Sequence, residues 1–167
     1  MESEIILVDT FEKIKETSLL ASIIWDEYYS PIIGKDQVDY MVRNFQSEEA
    51  ITNQIYSEGY KYFLIFSKGE PIGYIGFQIR SNIFFLSKYY IKQEKRGQGY
   101  GRYTMDFIIE QAREHKAESI YLTVNKNNSD SIKAYLKMGF KNEGPVVTDI
   151  GNGYVMDDYK MTLTLTS

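Results

Sequence analysis

The chain has 167 residues, 43% hydrophobic and 25% charged, which fits one globular domain over 1–167 and excludes a disordered or coiled-coil chain. A net charge of -4 argues against a sequence-independent grip on nucleic acid, and with no Cys there is no disulfide framework, thiol nucleophile or Cys-based metal site; no metal is expected. No apolar run reaches the roughly 20 residues of a membrane helix, and MESEIILVDTFEK lacks a basic region followed by an apolar stretch; no membrane association and a cytoplasmic location are expected.

The opening EIILVD reads as a short strand. TFEKIKETSLLASIIWDEYY then places Phe11, Ile14, Leu19, Ile23 and Trp25 at helical spacing and predicts the first helix. SPIIGKDQVDYMVRNF puts Pro31 and Gly34 before a second apolar-periodic stretch, and SEEAITNQIYSEG predicts a third helix, capped by Ser47 and closed by Gly59. From Tyr60 the texture changes. YKYFLIFS and PIGYIGFQIR flank a KGE turn as a hairpin, NIFFLSKYYIKQ follows, and together they predict an antiparallel meander, for which the aromatic excess of 15 Tyr and 9 Phe is suited. After a glycine cluster come a helix over YTMDFIIEQAREHK, a strand over SIYLTV and a helix over SDSIKAYLKM. Strands from about Phe140 to Leu165, turning at Gly151-Asn152-Gly153, complete the chain. The lone His115 sits near a helix end, where a positive charge suits the dipole, and is not expected in catalysis. The class expected is α+β with a mixed sheet. The terminal MTLTLTS alternates apolar residues with Thr and reads as an exposed strand able to pair across a homodimer.

In KQEKRGQGYGRYTMDF, Arg96, Gly97, Gln98, Gly99, Tyr100 and Gly101 lie between a strand and an amphipathic helix, where exposed amides and the helix dipole attract phosphate. The glycines let backbone approach a ligand closely, and Lys92, Lys95, Arg96 and Arg102 add positive charge. A dinucleotide G-x-G-x-x-G would need glycine where Arg102 stands, and the G-K-[ST] of a P-loop is absent. The pattern present is R-x-x-G-x-G. A ligand-free strand-to-helix turn would accommodate the same glycines. Downstream, NKNNSDSIKAYLKMGF places Asn128 seven residues before Tyr135, with Gly139-Phe140 after the helix. Helix chemistry alone reads Asn128 or Ser129 as a cap, Ile132, Tyr135, Leu136 and Met138 as the apolar side, and Gly139 as a left-handed terminator.

The glycine motif followed, one helix and one strand later, by N-x-x-(A/S)-x-x-x-Y-x-x-x-G-F resembles the GNAT superfamily of N-acetyltransferases over roughly Tyr60 to the end. The resemblance implies a mostly antiparallel central sheet flanked by helices and acetyl-CoA as cosubstrate, its pyrophosphate cradled by Arg96, Gly97, Gln98, Gly99, Tyr100, Gly101 and Arg102. It further implies that the backbone of Tyr89, Tyr90 and Ile91 lies along the cofactor, with Asn128 on the pantetheine or adenosine side. Tyr135 takes the family's general-acid position, protonating the leaving thiolate after direct attack in a ternary complex with no acyl-enzyme.

Many superfamily members carry a glutamate on the strand before the glycine loop, and this chain departs from that pattern with Leu86, Ser87 and Lys88. A water on Ser87, Glu27 or a carboxylate from elsewhere is left to receive the amine's proton. WDEYYSPIIGKDQVDY lies where the family builds its acceptor wall, so Glu27, Tyr28 and Tyr29 are expected to hold a cationic amine through charge and cation–π contact; these carboxylates and aromatics also suit a solvated helix end. The sequence is similar to the bacterial polyamine acetyltransferase branch, which implies a small-molecule amine. A peptide amine, of a protein N-terminus or a ribosomal protein, comes next. Two rivals of another class are a catalytically inactive CoA-binding sensor and a nucleotide-binding regulator.

Overall fold

A computed structural model describes residues 2–165. In chain order the elements are β1 (Ser3–Leu7), α1 (Phe11–Ile33), α2 (Lys35–Phe45), α3 (Glu48–Ser57), β2 (Lys61–Ser67), β3 (Glu70–Arg80), β4 (Ile83–Ile91), a 3-10 turn (Gln93–Lys95), α4 (Tyr100–Glu114), β5 (Ser119–Asn125), α5 (Ser129–Lys137), β6 (Lys141–Gly151) and β7 (Tyr154–Thr164). The strands are hydrogen-bonded in the order β1-β2-β3-β4-β5-β7-β6. The β4/β5 pair is parallel, whereas β1/β2, β2/β3, β5/β7 and β6/β7 are antiparallel, giving the mixed, mostly antiparallel α+β sheet expected. No helix is long and apolar enough to cross a membrane among the described residues. The chain packs as two compact units, one comprising the chain up to Gln78 with Lys88–Ile108, the other Ile79–Ser87 with the chain from Ile109 onward.

In the first unit α1 starts where Thr10 Oγ1 accepts the Lys13 amide proton at 3.2 Å. Its buried face is Ile14, Thr17, Leu20, Ala21, Ile24, Trp25 and Tyr29. Three residues of the expected face point to solvent instead, Phe11 (67% exposed), Leu19 (61%) and Ile23 (50%). The pairs Leu19-Leu20 and Ile23-Ile24 are the cause, since neighbours lie about 100° apart on a helix and only one of each pair can join the Ile14-Thr17-Ala21-Ile24 stripe. α1 also runs through Pro31, which falls in its last turn, and stops where the Gly34 N–H meets Ser30 O at 3.0 Å with φ at 88°.

β2 and β3 are buried almost throughout. On one face Tyr62 stacks on Tyr74 at 6.2 Å, and Gln46 satisfies both hydroxyls, accepting from Tyr74 at 2.6 Å and donating to Tyr62 at 3.0 Å. On the opposite face Phe63 meets Phe77 and, edge-on at 5.0 Å, Phe107 of α4. Each such buried side chain contributes about 1.5–3 kcal/mol through the area it removes from water.

The second unit has a thinner core, centred on Ile120, Leu122, Val124, Phe140 and Met161. On another side of its strands Tyr121 stacks on Phe85 at 4.6 Å, Lys160 Nζ lies 4.7 Å over Tyr121, and Arg80 lies 4.1 Å over Phe85. β7 is flanked by β5 from Asp158 to Thr164 and by β6 as far as Thr162, so Met161 and Thr162 do not offer the pairing edge expected of MTLTLTS, while Leu163 and Thr164 pair with β5 alone. Alternation of apolar residues with Thr marks a strand with unlike faces and cannot tell a central strand from an edge; Thr166 and Ser167 lie outside the described residues. The edge of that hairpin is β6, mostly exposed, containing Pro145 and carrying register shifts at Asn142/Gly144 and Asp149/Gly151. Leu136 of α5 and Met138, just past its end, are exposed rather than packed, and the helix rests on half-buried Ile132 and Tyr135.

Candidate functional site

The end of β4 is shaped by a missing side chain. A Cβ on Gly73 of β3 would stand 2.3 Å from Tyr90 O and 3.1 Å from Ile91 Cα, so glycine alone lets the two backbones meet there. Pairing persists one residue beyond the strand, where the Lys92 N–H reaches Ile72 O at 2.7 Å. After the 3-10 turn Gly97 and Gly99 adopt φ of 74° and 90°. A side chain at either would be strained by about 1–2 kcal/mol. No atom lies within 4 Å of where those side chains would start, so the loop backbone is open on that side.

α4 begins directly at Tyr100, and its first-turn N–H groups have no partner within the helix. The aligned peptide dipoles place about half a positive charge there. Lys95, Arg96 and Arg102 lie in the same segment, whereas Lys92 Nζ is paired with Glu70 at 3.6 Å; backbone donors exposed in this way suit a diphosphate such as that of coenzyme A.

The side chains of the loop serve mostly to hold it. The Tyr100 ring is buried and its hydroxyl meets Ser67 Oγ at 2.7 Å, so Tyr100 presents only backbone to the cradle. Gln98 Nε2 donates to Glu94 O at 3.0 Å. Arg96 lies with its guanidinium carbon 3.8 Å over the Tyr28 ring and Nε 3.5 Å from Ile91 O. Arg102 is exposed on the first turn of α4. Tyr89 pins that turn, donating to Gly101 O at 3.0 Å and meeting Thr104 Oγ1 at 2.6 Å. Burial pushes its phenol up to about 12, against the opposing pull of the Thr104 hydrogen bond, which keeps Tyr89 protonated.

Glu27, Tyr28 and Tyr29, expected as acceptor contacts, are brought together with Tyr90 and the loop. The hydroxyls of Tyr29 and Tyr90 meet at 2.9 Å, the Tyr28 and Tyr90 rings lie 5.6 Å apart, and Trp25 stands 5.7 Å from Tyr90. Glu27 Oε2 accepts the Gln93 N–H at 3.2 Å, tying the end of α1 to the turn before the glycines. Asp26 and Asp39 share Lys35 at 3.5 and 3.4 Å. Lys88, half-buried on β4, has its ammonium pushed down to about 8 by burial.

In the second unit, Asn128 caps α5, its Oδ1 accepting from Ser131 N at 3.3 Å while its own N–H donates to Asn125 O at 2.9 Å. Tyr135 lies on α5 with its ring edge-on to Phe140 at 5.4 Å, and Gly139 ends the helix at φ 101°. The residue that sequence reasoning missed is Asp158 on β7, 5% exposed, opposite Asn125. Burial pushes its carboxyl up to about 6, a hydrogen bond from Thr123 acting downward and the charge of Asp157 upward. Its Oδ1 is buried without a hydrogen-bond partner. The adjacent pair Asp157-Asp158 inside YVMDDYKMTLT was the available signal, because consecutive strand residues face opposite ways and one of the two must turn inward.

The family model described as "Acetyltransferase (GNAT) family" matches residues 19–140. No curated protein matches the chain in sequence. Among solved structures the chain is similar to the PaiA N-acetyltransferase of Thermoplasma acidophilum in complex with coenzyme A, at 20% identity and TM-score 0.81, covering 99% of this chain and 100% of that one. It is similar to the ribosomal-protein-S18-alanine N-acetyltransferase of Escherichia coli (16%, TM-score 0.73, 99% and 95% covered). It is also similar to mutant forms of the spermidine/spermine N-acetyltransferase SpeG of Vibrio cholerae (18%, TM-score 0.68, 98% and 95% covered). These likenesses carry the fold, and the family match over most of the sequence, enclosing both the glycine loop and the Asn128–Phe140 motif, establishes that the chain belongs to the GNAT family of acetyl-CoA-dependent N-acetyltransferases.

Proposed function

We propose that this chain moves the acetyl group of acetyl-CoA to a primary amine by direct attack in a ternary complex, with a polyamine as acceptor. The observation that carries the reading is the pair of left-handed glycines, Gly97 and Gly99, open to solvent at the start of α4. Main-chain donors of Arg96–Arg102 hold the pyrophosphate, and Asn128 stands on the pantetheine or adenosine side. The Tyr89–Ile91 amides steady the oxyanion of the tetrahedral intermediate, a contact of a kind worth about 2.7–4 kcal/mol. Tyr135 protonates the departing thiolate, a sensible transfer between groups of ordinary pKa about 10 and about 8.5.

For the acceptor, Asp26, Glu27, Asp36 and Asp39 beside Tyr28 and Tyr29 support a cationic amine, and one structural neighbour is by name a spermidine/spermine acetyltransferase. A peptide amine has its own support, since Lys35 shares two of those carboxylates and another neighbour is by name a ribosomal-protein-alanine enzyme. The test is release of CoA thiol from acetyl-CoA in the presence of spermidine or of a peptide with a free N-terminal alanine. Faster release with spermidine is expected. Release with the peptide alone replaces the acceptor, and tight CoA binding without amine-dependent release favours the sensor, whose support is Leu86-Ser87-Lys88 where the family commonly has a glutamate.

A further inference from the structure

Direct attack needs a neutral amine, yet a primary amine of pKa about 10.4 is neutral only about 0.04% of the time at pH 7. Something must take its proton. We infer that the Asp158 carboxylate is the catalytic base, accepting that proton at Oδ1; this rests on the acetyl-transfer reading above. Glu27 uses one of its oxygens, Oε2, to accept the Gln93 N–H. Asp158 differs in having a buried oxygen, Oδ1, with no donor of its own, while Thr123 supplies a hydrogen bond to the carboxylate. A buried acceptor left unmet is rare enough in folded proteins to call for a ligand or a role.

Its place in the fold agrees. Asp158 stands opposite Asn125, the last residue of β5, immediately before the turn to Asn128 and the helix bearing Tyr135. In sheets with parallel strands, ligands gather outside the carboxyl ends of those strands, and β5 is paired in parallel with β4. The surrounding charges leave the carboxylate to act. β5 presents Thr123 and Asn125, and the Asn125 side-chain oxygen is taken by the Asn127 N–H. β6 presents Val146. On β7 itself Asp157 is paired with Lys126, and Lys160 is engaged over Tyr121. Desolvation makes Asp158 a stronger base than an exposed aspartate while leaving it mostly ionised at neutral pH.

The acceptor ammonium gives one proton to Asp158 Oδ1, and the freed nitrogen lone pair forms the C–N bond at the acetyl carbonyl carbon. The C–S bond then breaks with its electron pair on sulfur, which takes the Tyr135 hydroxyl proton. The second proton lost by nitrogen restores Tyr135, and Asp158 returns its own to solvent. One amide, one CoA thiol and one proton result.

The experiment measures kcat/KM for spermidine and for the alanine peptide across pH 5.5–10 by thiol release, for wild type, Asp158→Asn and Asp158→Glu. Wild type should rise through about pH 6 and then level. Asp158→Asn should fall about 100-fold at pH 7, lose that limb, and climb about tenfold per pH unit toward the amine's own pKa, with CoA affinity within twofold of wild type. Asp158→Glu should recover part of the rate. A loss equal at every pH, or a wild-type profile in Asp158→Asn, overturns the assignment. Thiol release by wild type with neither amine overturns the acetyl-transfer reading and this inference with it. Carbon-13 titration of the carboxyl needs no acceptor; a value at or below 4 overturns the inference alone.

Discussion

The glycine loop at the end of β4 and the α5–β7 region divide the chemistry unequally. Around the loop nearly every distinctive side chain is turned to structural use: Tyr100 to Ser67, Tyr89 to Thr104, Arg96 to Tyr28, Glu27 to Gln93. Apart from Lys95 and the exposed Arg102, what the loop leaves open is main chain, positioned by left-handed glycines. In the second unit main chain is ordinary helix and strand, and the mechanism we propose rests there on two side chains, Tyr135 as acid and Asp158 as base. In that proposal donor binding is a property of backbone conformation, and proton transfer a property of two specific residues.

The sharpest test of that division is Tyr135→Phe, which should lower turnover by at least about tenfold, within the range of general-acid effects, while leaving CoA affinity nearly unchanged. Wild-type turnover in that variant would move the acid elsewhere. Gly73→Ala attacks the other side of the comparison. Its new methyl would collide with Tyr90 O, so a loss of about 3 kcal/mol in denaturant unfolding is expected, and an unchanged midpoint would mean that β4 can retreat.

Asp158 adds a test on stability rather than rate. Because its folded pKa is raised to about 6 from 3.8, wild type loses stability as pH climbs through that interval, and Asp158→Asn should not. Relative to wild type, the variant should gain about 2 kcal/mol between pH 4 and pH 7, after allowance for solvent screening, and a flat difference would place the carboxyl in water. Smallest of all, Arg96→Leu removes one exposed cation–π contact, worth about 0.5–1 kcal/mol, and should weaken CoA binding only severalfold. A hundredfold loss would show that the guanidinium, not the backbone, grips the phosphate.

Legibility in the sequence follows the same division. Strands and helices were readable because turn glycines, caps such as Ser47, and aromatic runs such as YKYFLIFS are local signals. The glycine loop was readable because glycine takes without strain the positive φ that Gly97 and Gly99 need. The buried face of α1 was not, since Leu19-Leu20 and Ile23-Ile24 leave two stripes of equal apolarity and packing alone selects between them. The position of β7 between β5 and β6 was hidden because pairing partners are a long-range choice. Asp158 escaped for a related reason: its burial depends on what β5 and β6 place beside it.

β6 has a further consequence. An eleven-residue strand at the rim of a sheet is ordinarily a template on which other chains can stack into aggregates. Here Pro145 removes one donor from the rim, and the irregularities at Asn142/Gly144 and Asp149/Gly151 bend it out of register at both ends. Colloidal solubility of this enzyme is therefore written into the same hairpin whose inner strand bears Asp158, and Pro145→Val is the change that would trade it away.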